Sequence, residues 1–305
     1  MIFLEVPCKI NKVVTQNVIV MKNVIVGIDF SEGSLNAMQN AIAIASKFNA
    51  KLTLLFVLSP DAKTLIGGDE INKSNIVSFV EKKLKKLVLD CKRMLPKSVV
   101  ESKIRIGKAS REMNAEAKEQ GDALVVVGTH GCSGFKEFFM GSSAFRIISA
   151  SNSPVLSVRD NVNIQRDLTD ILVVIDDTME TLQKLKFAVS MAKAFHAKVH
   201  IMGLYPSGFK DIRATIDAYV KRAEIYLIRH NVRLESVFIK KTKKVDTVLS
   251  YAAKKNINLI IVMKEVELAG DSVFIMAPFS ERIVNRSPIP ILTVNVDESI
   301  YPDKI

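Results

Sequence analysis

Apolar residues in this chain gather in short unbroken runs, and between the runs they recur every three or four positions. The runs Val24–Ile28, Leu52–Leu58, Ser102–Ile106, Ala123–Val127 and Val155–Val158 predict strands. Several are apolar without alternation, as strands covered on both faces must be. One predicted helix starts near Ser31, whose side chain can cap it, and carries Leu35, Met38, Ile42 and Ala45 on one face. A second places Val80, Leu84, Leu87, Val88 and Cys91 at helical spacing and ends before Pro96, and a third runs from about Ser110 to Glu119. Strands separated by helices imply parallel crossovers. The expected fold is α/β, a doubly wound parallel sheet with helices on both faces.

The pattern then repeats. Val24–Asp29 matches Ile171–Asp176, an offset of 147 positions that also carries Ala45, Phe48, Ala50 and Lys51 onto Ala192, Phe195, Ala197 and Lys198. Near the other end, Ser153–Val158 matches Ile289–Val294 at an offset of 136, so the second copy is shorter in the middle. Two domains follow, 21–160 and 168–298, joined by the short polar linker Asp160–Asp167, with 299–305 as a tail. Residues 1–20 are expected to be an N-terminal extension or a misread start, because Met21 stands directly before the first strong strand.

Composition narrows the classes. The apolar stretch within Met1–Val20 is broken by Glu5, Lys9 and Lys12, unlike a signal peptide. No run approaches the ~18 residues of a membrane helix. Three cysteines without a C-x-x-C pair argue against a disulfide framework or a zinc site, and a cytoplasmic protein is expected. The net charge of +11 is spread over both halves. Its densest cluster, Lys82, Lys83, Lys85 and Lys86, reads as the solvated face of an amphipathic helix rather than a nucleic-acid surface. Neither nucleic acid nor membrane is an expected partner.

In sheets of this type ligands bind beyond the carboxyl ends of the strands, where the winding direction switches. There, after the fourth strand, stand Gly128, Gly131 and Gly134, followed by Gly141, Ser142 and Ser143 opening the last helix. Glycines allow close backbone approach, and a helix N-terminus with free N–H groups favours an anion. Neither G-x-x-x-x-G-K-[ST] nor G-x-G-x-x-G occurs. His130 has no acid or nucleophile beside it in sequence and reads as a loop residue; no catalytic residue is assigned.

The spacing G-x2-G-x9-G-[ST], filled by Gly128, Gly131, Gly141 and Ser142, resembles the ATP-binding signature of the universal stress protein family. So does the opening Val24–Ser31, with Asp29 ending the first strand. The resemblance implies in each copy a five-stranded parallel sheet of order 3-2-1-4-5, with the two copies arranged as a pseudo-twofold dimer. It also implies ATP, accompanied by Mg2+, across the switch point of the first copy. Asp29 would face the ribose or adenine, and Val57 the adenine through its backbone. Val127 and Gly128 would line base and sugar, and Gly131, Gly141, Ser142 and Ser143 would hold the phosphates.

The second copy departs from this signature, with Lys264, Glu267, Ala277 and Pro278 at the positions of Gly128, Gly131, Gly141 and Ser142. The expectation is a regulatory ATP-binding protein with nucleotide in domain 1 only, any hydrolysis slow, and an unidentified protein partner. Lys264 is the one residue there that could reach toward a phosphate. A metal ligand set and a further homodimer are left open. Two alternatives remain: an ATP-using enzyme of a related fold, of adenylating or pyrophosphatase type, and a scaffold that binds no nucleotide.

Overall fold

The computed structural model describes residues 19, 21–60, 73–129, 141–159, 162, 164, 168–205, 210–239, 244–264, 266–269, 273–276 and 278–297. The first domain runs β1 (Asn23–Gly27), α1 (Glu32–Phe48), β2 (Lys51–Leu58), α2 (Lys73–Met94), β3 (Val100–Ile106), α3 (Ala109–Gln120), β4 (Ala123–Gly128), α4 (Ser142–Ala150) and β5 (Val155–Val158). The second runs β6 (Asp170–Ile175), a 3-10 turn (Met179–Leu182), α5 (Leu185–Phe195), β7 (Lys198–Leu204), α6 (Lys210–Arg229), β8 (Leu234–Ile239), α7 (Lys244–Lys254), β9 (Leu259–Lys264), β10 (Val266–Ala269), β11 (Val273–Met276), α8 (Pro278–Arg286) and β12 (Ile291–Asn295).

Ten strands form one continuous sheet in the order β3-β2-β1-β4-β5-β12-β9-β6-β7-β8. Each half has the expected order 3-2-1-4-5, and the halves join where β5 and β12 pair antiparallel, Leu156 opposite Leu292. Closing two apolar edges on each other removes both as sites of misassembly. Val24 and Val26 bury into one core with α1, α2, α5 and α6, while Ile25 buries into another with α3, α4, α7 and α8. Both cores contain residues of both domains, so the two halves share their interior.

The linker is less polar in effect than its composition suggests. Ile164 is 1% exposed, its N–H bonded at 2.7 Å to the side-chain oxygen of Asn40 on α1. Asn40 also donates to the Val162 carbonyl, and Asn36 to that of Arg159. The segment between β9 and α8 also differs from a simple loop, because β10 and β11 form an antiparallel hairpin with Glu267 opposite Ile275.

Candidate functional site

The start of each domain's first helix is built by the same three polar residues. Asp29 Oδ1 accepts the Ser31 N–H at 2.9 Å and the Ser31 hydroxyl at 2.5 Å. Ser31 is the N-cap of α1, accepting from the Ser34 N–H at 3.2 Å, and Ser34 Oγ accepts the Asp29 N–H at 3.3 Å. In the second domain Asp176, Thr178 and Thr181 repeat these contacts at 2.9, 2.5 and 3.1 Å. Short polar side chains favour such local loops over continuing strand or helix. Asp29 therefore orients the capping residue Ser31 whatever ligand it meets.

The two aspartates differ in what lies beneath them. Asp29 is exposed, whereas Asp176 is 8% exposed and pairs with the ammonium of Lys184 at 3.7 Å. Lys184 also donates to Thr181 Oγ1 at 3.1 Å, and its side chain is 1% exposed. At the offset of 147 its counterpart is Ala37, fully buried and without charge. The second carboxylate is thus neutralised from inside. Sequence reasoning missed Lys184; its only signal there is an apolar neighbourhood, with Leu182 and Leu185 close by in the chain.

Strand register gathers the other predicted residues of the first domain. Gly27 pairs with Leu55 and Val26 with Val126, so Asp29, Val57, Val127 and Gly128 emerge at the same end of adjacent strands. A Cβ on Gly128 would lie 2.5 Å from the Gly33 carbonyl oxygen, so β4 and the first turn of α1 touch backbone to backbone. Gly128 is required for this packing in addition to any place beside a ligand. Sequence reasoning missed Phe30, which has φ 64°, a conformation costly for a bulky residue. Its ring lies 5.4 Å from that of Phe56, with the Lys83 ammonium 4.9 Å from its centroid.

Gly131 lies outside the described residues, as do His130 and Cys132. The ends of that loop are fixed, because the Gly141 N–H donates to the Thr129 carbonyl at 2.7 Å. Gly141 then caps α4 with φ −57° and no side-chain hydrogen bond, so its glycine is not demanded by backbone strain. Ser142 and Ser143 are exposed, and the first turn of α4 holds no acidic residue. A helix start leaves N–H groups without intrahelical partners, and here they face outward with the positive end of the dipole. In the second domain α8 starts on Pro278, which has no N–H, and carries Glu281 in its first turn. That helix end already has its negative charge.

Lys264 does not reach for a phosphate. It ends β9 as Gly128 ends β4, but it is 7% exposed and donates to the carbonyls of Ser149 and Ser151 at the C-terminus of α4, at 3.1 and 2.5 Å. Burial pushes its pKa down to about 8. In the opposite direction Arg159, leaving β5, donates to the carbonyls of Asn285 and Ser287 at the end of α8, both at 2.8 Å. The four acceptors are twins at the offset of 136, so each domain holds the other's last helix by its C-terminus.

Among the described residues, no group of acidic, histidine or cysteine side chains is placed to hold a metal ion. A cavity of about 400 Å³ lies at the other end of the second domain's sheet, against Lys193, His196, Asn231 and Arg233, away from these strand ends. No helix of the described residues is long and apolar enough to cross a membrane.

Fold and strand-end geometry define a tandem α/β protein whose two copies differ at equivalent strand ends: Asp176 is paired with Lys184, and the first domain has Ala37 at that lysine's position. The chain belongs to the universal stress protein family, whose model matches residues 21–159 and 168–295. It is 29% identical over 143 residues to a universal stress protein of Bacillus subtilis, covering 44% of this chain and 97% of that one. A universal stress protein of Methanocaldococcus jannaschii is 26% identical over 156 residues, covering 49% and 89%. Among solved structures, a universal stress protein from Archaeoglobus fulgidus superposes with a TM-score of 0.68 at 18% identity, covering 91% of this chain and 99% of that one. At that identity the likeness speaks for the fold.

Proposed function

We propose that this protein is an ATP-binding regulator that holds one nucleotide, with Mg2+, in its first domain, and that its second domain is a structural partner. The observation that carries the reading is the difference between two equivalent helix starts. Among the described residues the N-terminus of α4 has no side-chain cap and no acid in its first turn, and Ser142 and Ser143 are exposed, while that of α8 has Pro278 and Glu281. The residues present fit a phosphate chain. The N–H groups and hydroxyls of Ser142 and Ser143 would hold its oxygens, Asp29 would meet the ribose or base, and Val57, Val127 and Gly128 would border the base and sugar. Bound Mg2+ would offset phosphate charge, held largely by the phosphates themselves.

The regulatory reading is favoured over the enzymatic one because Asp29, whose Oδ1 holds Ser31, is assigned to the ribose or base and not to the phosphates where a water would attack. Turnover is expected far below the ~1–100 s⁻¹ of kinases. The test is a mass spectrum of small molecules released when the gently purified protein is denatured, followed by titration with Mg-ATP. Release of ATP or ADP, or saturable Mg-ATP binding, is expected. A chain that releases no nucleotide and binds none would leave the scaffold reading standing.

A further inference from the structure

Lys264, which stands in the second domain where the first has Gly128, is buried against the helix that opens the first domain's proposed site. We propose that Lys264 is a positioning residue for that site: it holds α4 by its C-terminal carbonyls so that the N–H groups at the other end meet the phosphates. The proposal rests on the nucleotide reading above and adds how the second domain takes part in it.

A buried ammonium is costly unless its hydrogen bonds are made. Lys264 makes them to the last-turn carbonyls of α4, the negative end of the helix dipole, where a cation is favoured. The helix has nine residues and is therefore about 13 Å long, a short rigid rod. It is tied at one end by the Gly141 N–H to Thr129 and at the other by Lys264. Between the ties Ala144, Ile147 and Ile148 are buried, and Phe145 packs half-buried against the same core. A rod held by so few side chains shifts when an end is released, and hydrogen bonds to a ligand weaken steeply once they lengthen by a few tenths of an ångström.

Pseudo-symmetry makes the assignment more specific. The twin of Arg159 is Asn295, which on symmetry alone would hold α4 as Arg159 holds α8. Its amide nitrogen instead lies buried without a partner among the described residues, as does the Ser149 hydroxyl, so the hold on α4 falls to Lys264. The departure from glycine at the end of β9 and the hold on α4 thus come from one residue.

The test uses the full-length chain and compares Lys264→Met with Arg159→Met by Mg-ATP titration and by hydrogen exchange over α4 and α8. Lys264→Met should raise the Kd for ATP about tenfold, the scale of one charge-assisted hydrogen bond, and speed exchange in α4 but not α8. Arg159→Met should speed exchange in α8 and leave the Kd within about twofold. Lys264→Arg should recover most of the affinity, since Arg159 shows a guanidinium satisfying the same pair of acceptors on α8. If Lys264→Met fails to fold, Lys264→Gln, with fewer donors and no charge, takes its place in the comparison. An unchanged Kd in a folded Lys264 variant overturns the proposal while leaving the nucleotide reading intact. A wild-type chain that binds no ATP overturns both.

Discussion

The Lys184 ammonium lies 3.7 Å from Oδ2 of Asp176, beneath the strand ends of the second domain, at the position where the first domain has Ala37. Around it three contacts of Asp29, Ser31 and Ser34 recur in Asp176, Thr178 and Thr181, although Thr178 opens a 3-10 turn without the side-chain cap that Ser31 gives α1. Removing one partner of a buried pair leaves the other charge uncompensated. Lys184→Ala should therefore lower stability by about 2–4 kcal/mol in a urea titration. It should not create a second nucleotide site, because Pro278 and Glu281 remain at the start of α8. Unchanged stability would show that Asp176 is adequately solvated without the lysine.

Gly128→Ala should cost about 3 kcal/mol, at the upper end of ordinary overpacking, because the clash is with backbone rather than a flexible side chain. The added Cβ would meet the Gly33 carbonyl oxygen at 2.5 Å and carbon at 2.6 Å. α1 must move away from β4 or the strand must bend. Denaturant unfolding measures the loss, and a neutral result would mean that α1 yields freely there.

Acid should act through Glu116, whose side chain is fully buried against Lys103 and Arg105. Burial alone would raise its pKa, but hydrogen bonds from Lys103, Gln120 and Arg105 hold it below the ordinary 4.5. As pH falls, the unfolded chain takes up this proton first, so the contribution is present above about pH 4.5 and is lost through the lower folded value. Stability of the wild type should fall steeply with acid in that window, and Glu116→Gln should flatten the slope. Parallel slopes for the two proteins would assign the acid sensitivity elsewhere.

The sheet was legible because its signal is local. Apolar runs such as Val24–Ile28 mark strands buried on both faces, and two matching runs at fixed offsets mark a repeat. The strand pairing at the seam followed from strand order and the need to cover an apolar edge. The hairpin of β10 and β11 was not legible, since four-residue strands give too little alternation to distinguish from a loop. Lys184 was missed, and Lys264 was expected to be able to reach toward a phosphate, for a different reason. A lysine's sequence context does not reveal whether its ammonium finds Asp176 below it, or two carbonyls of another domain. Burial of Ile164 depended likewise on Asn40, more than a hundred positions away.

The central claim is asymmetry: one nucleotide, in the first domain. Each N–H or dipole contact to an anion contributes a few tenths to ~2 kcal/mol, and 1.4 kcal/mol is tenfold in affinity. The loss of one N–H at Pro278, the acid at Glu281 and the pairing of Asp176 by Lys184 together should move a micromolar site beyond millimolar. Gly141→Val serves as the control, since φ −57° lets the backbone accept a side chain, whose Cβ would stand 3.3 Å from the Thr129 carbonyl oxygen at the loop end where the phosphates are proposed to lie. Isothermal titration of the full-length chain with Mg-ATP is therefore the measurement to make. Saturation at one nucleotide per chain, and none in a folded Gly141→Val variant, is the predicted result; saturation at two, or wild-type binding by that variant, would contradict the account.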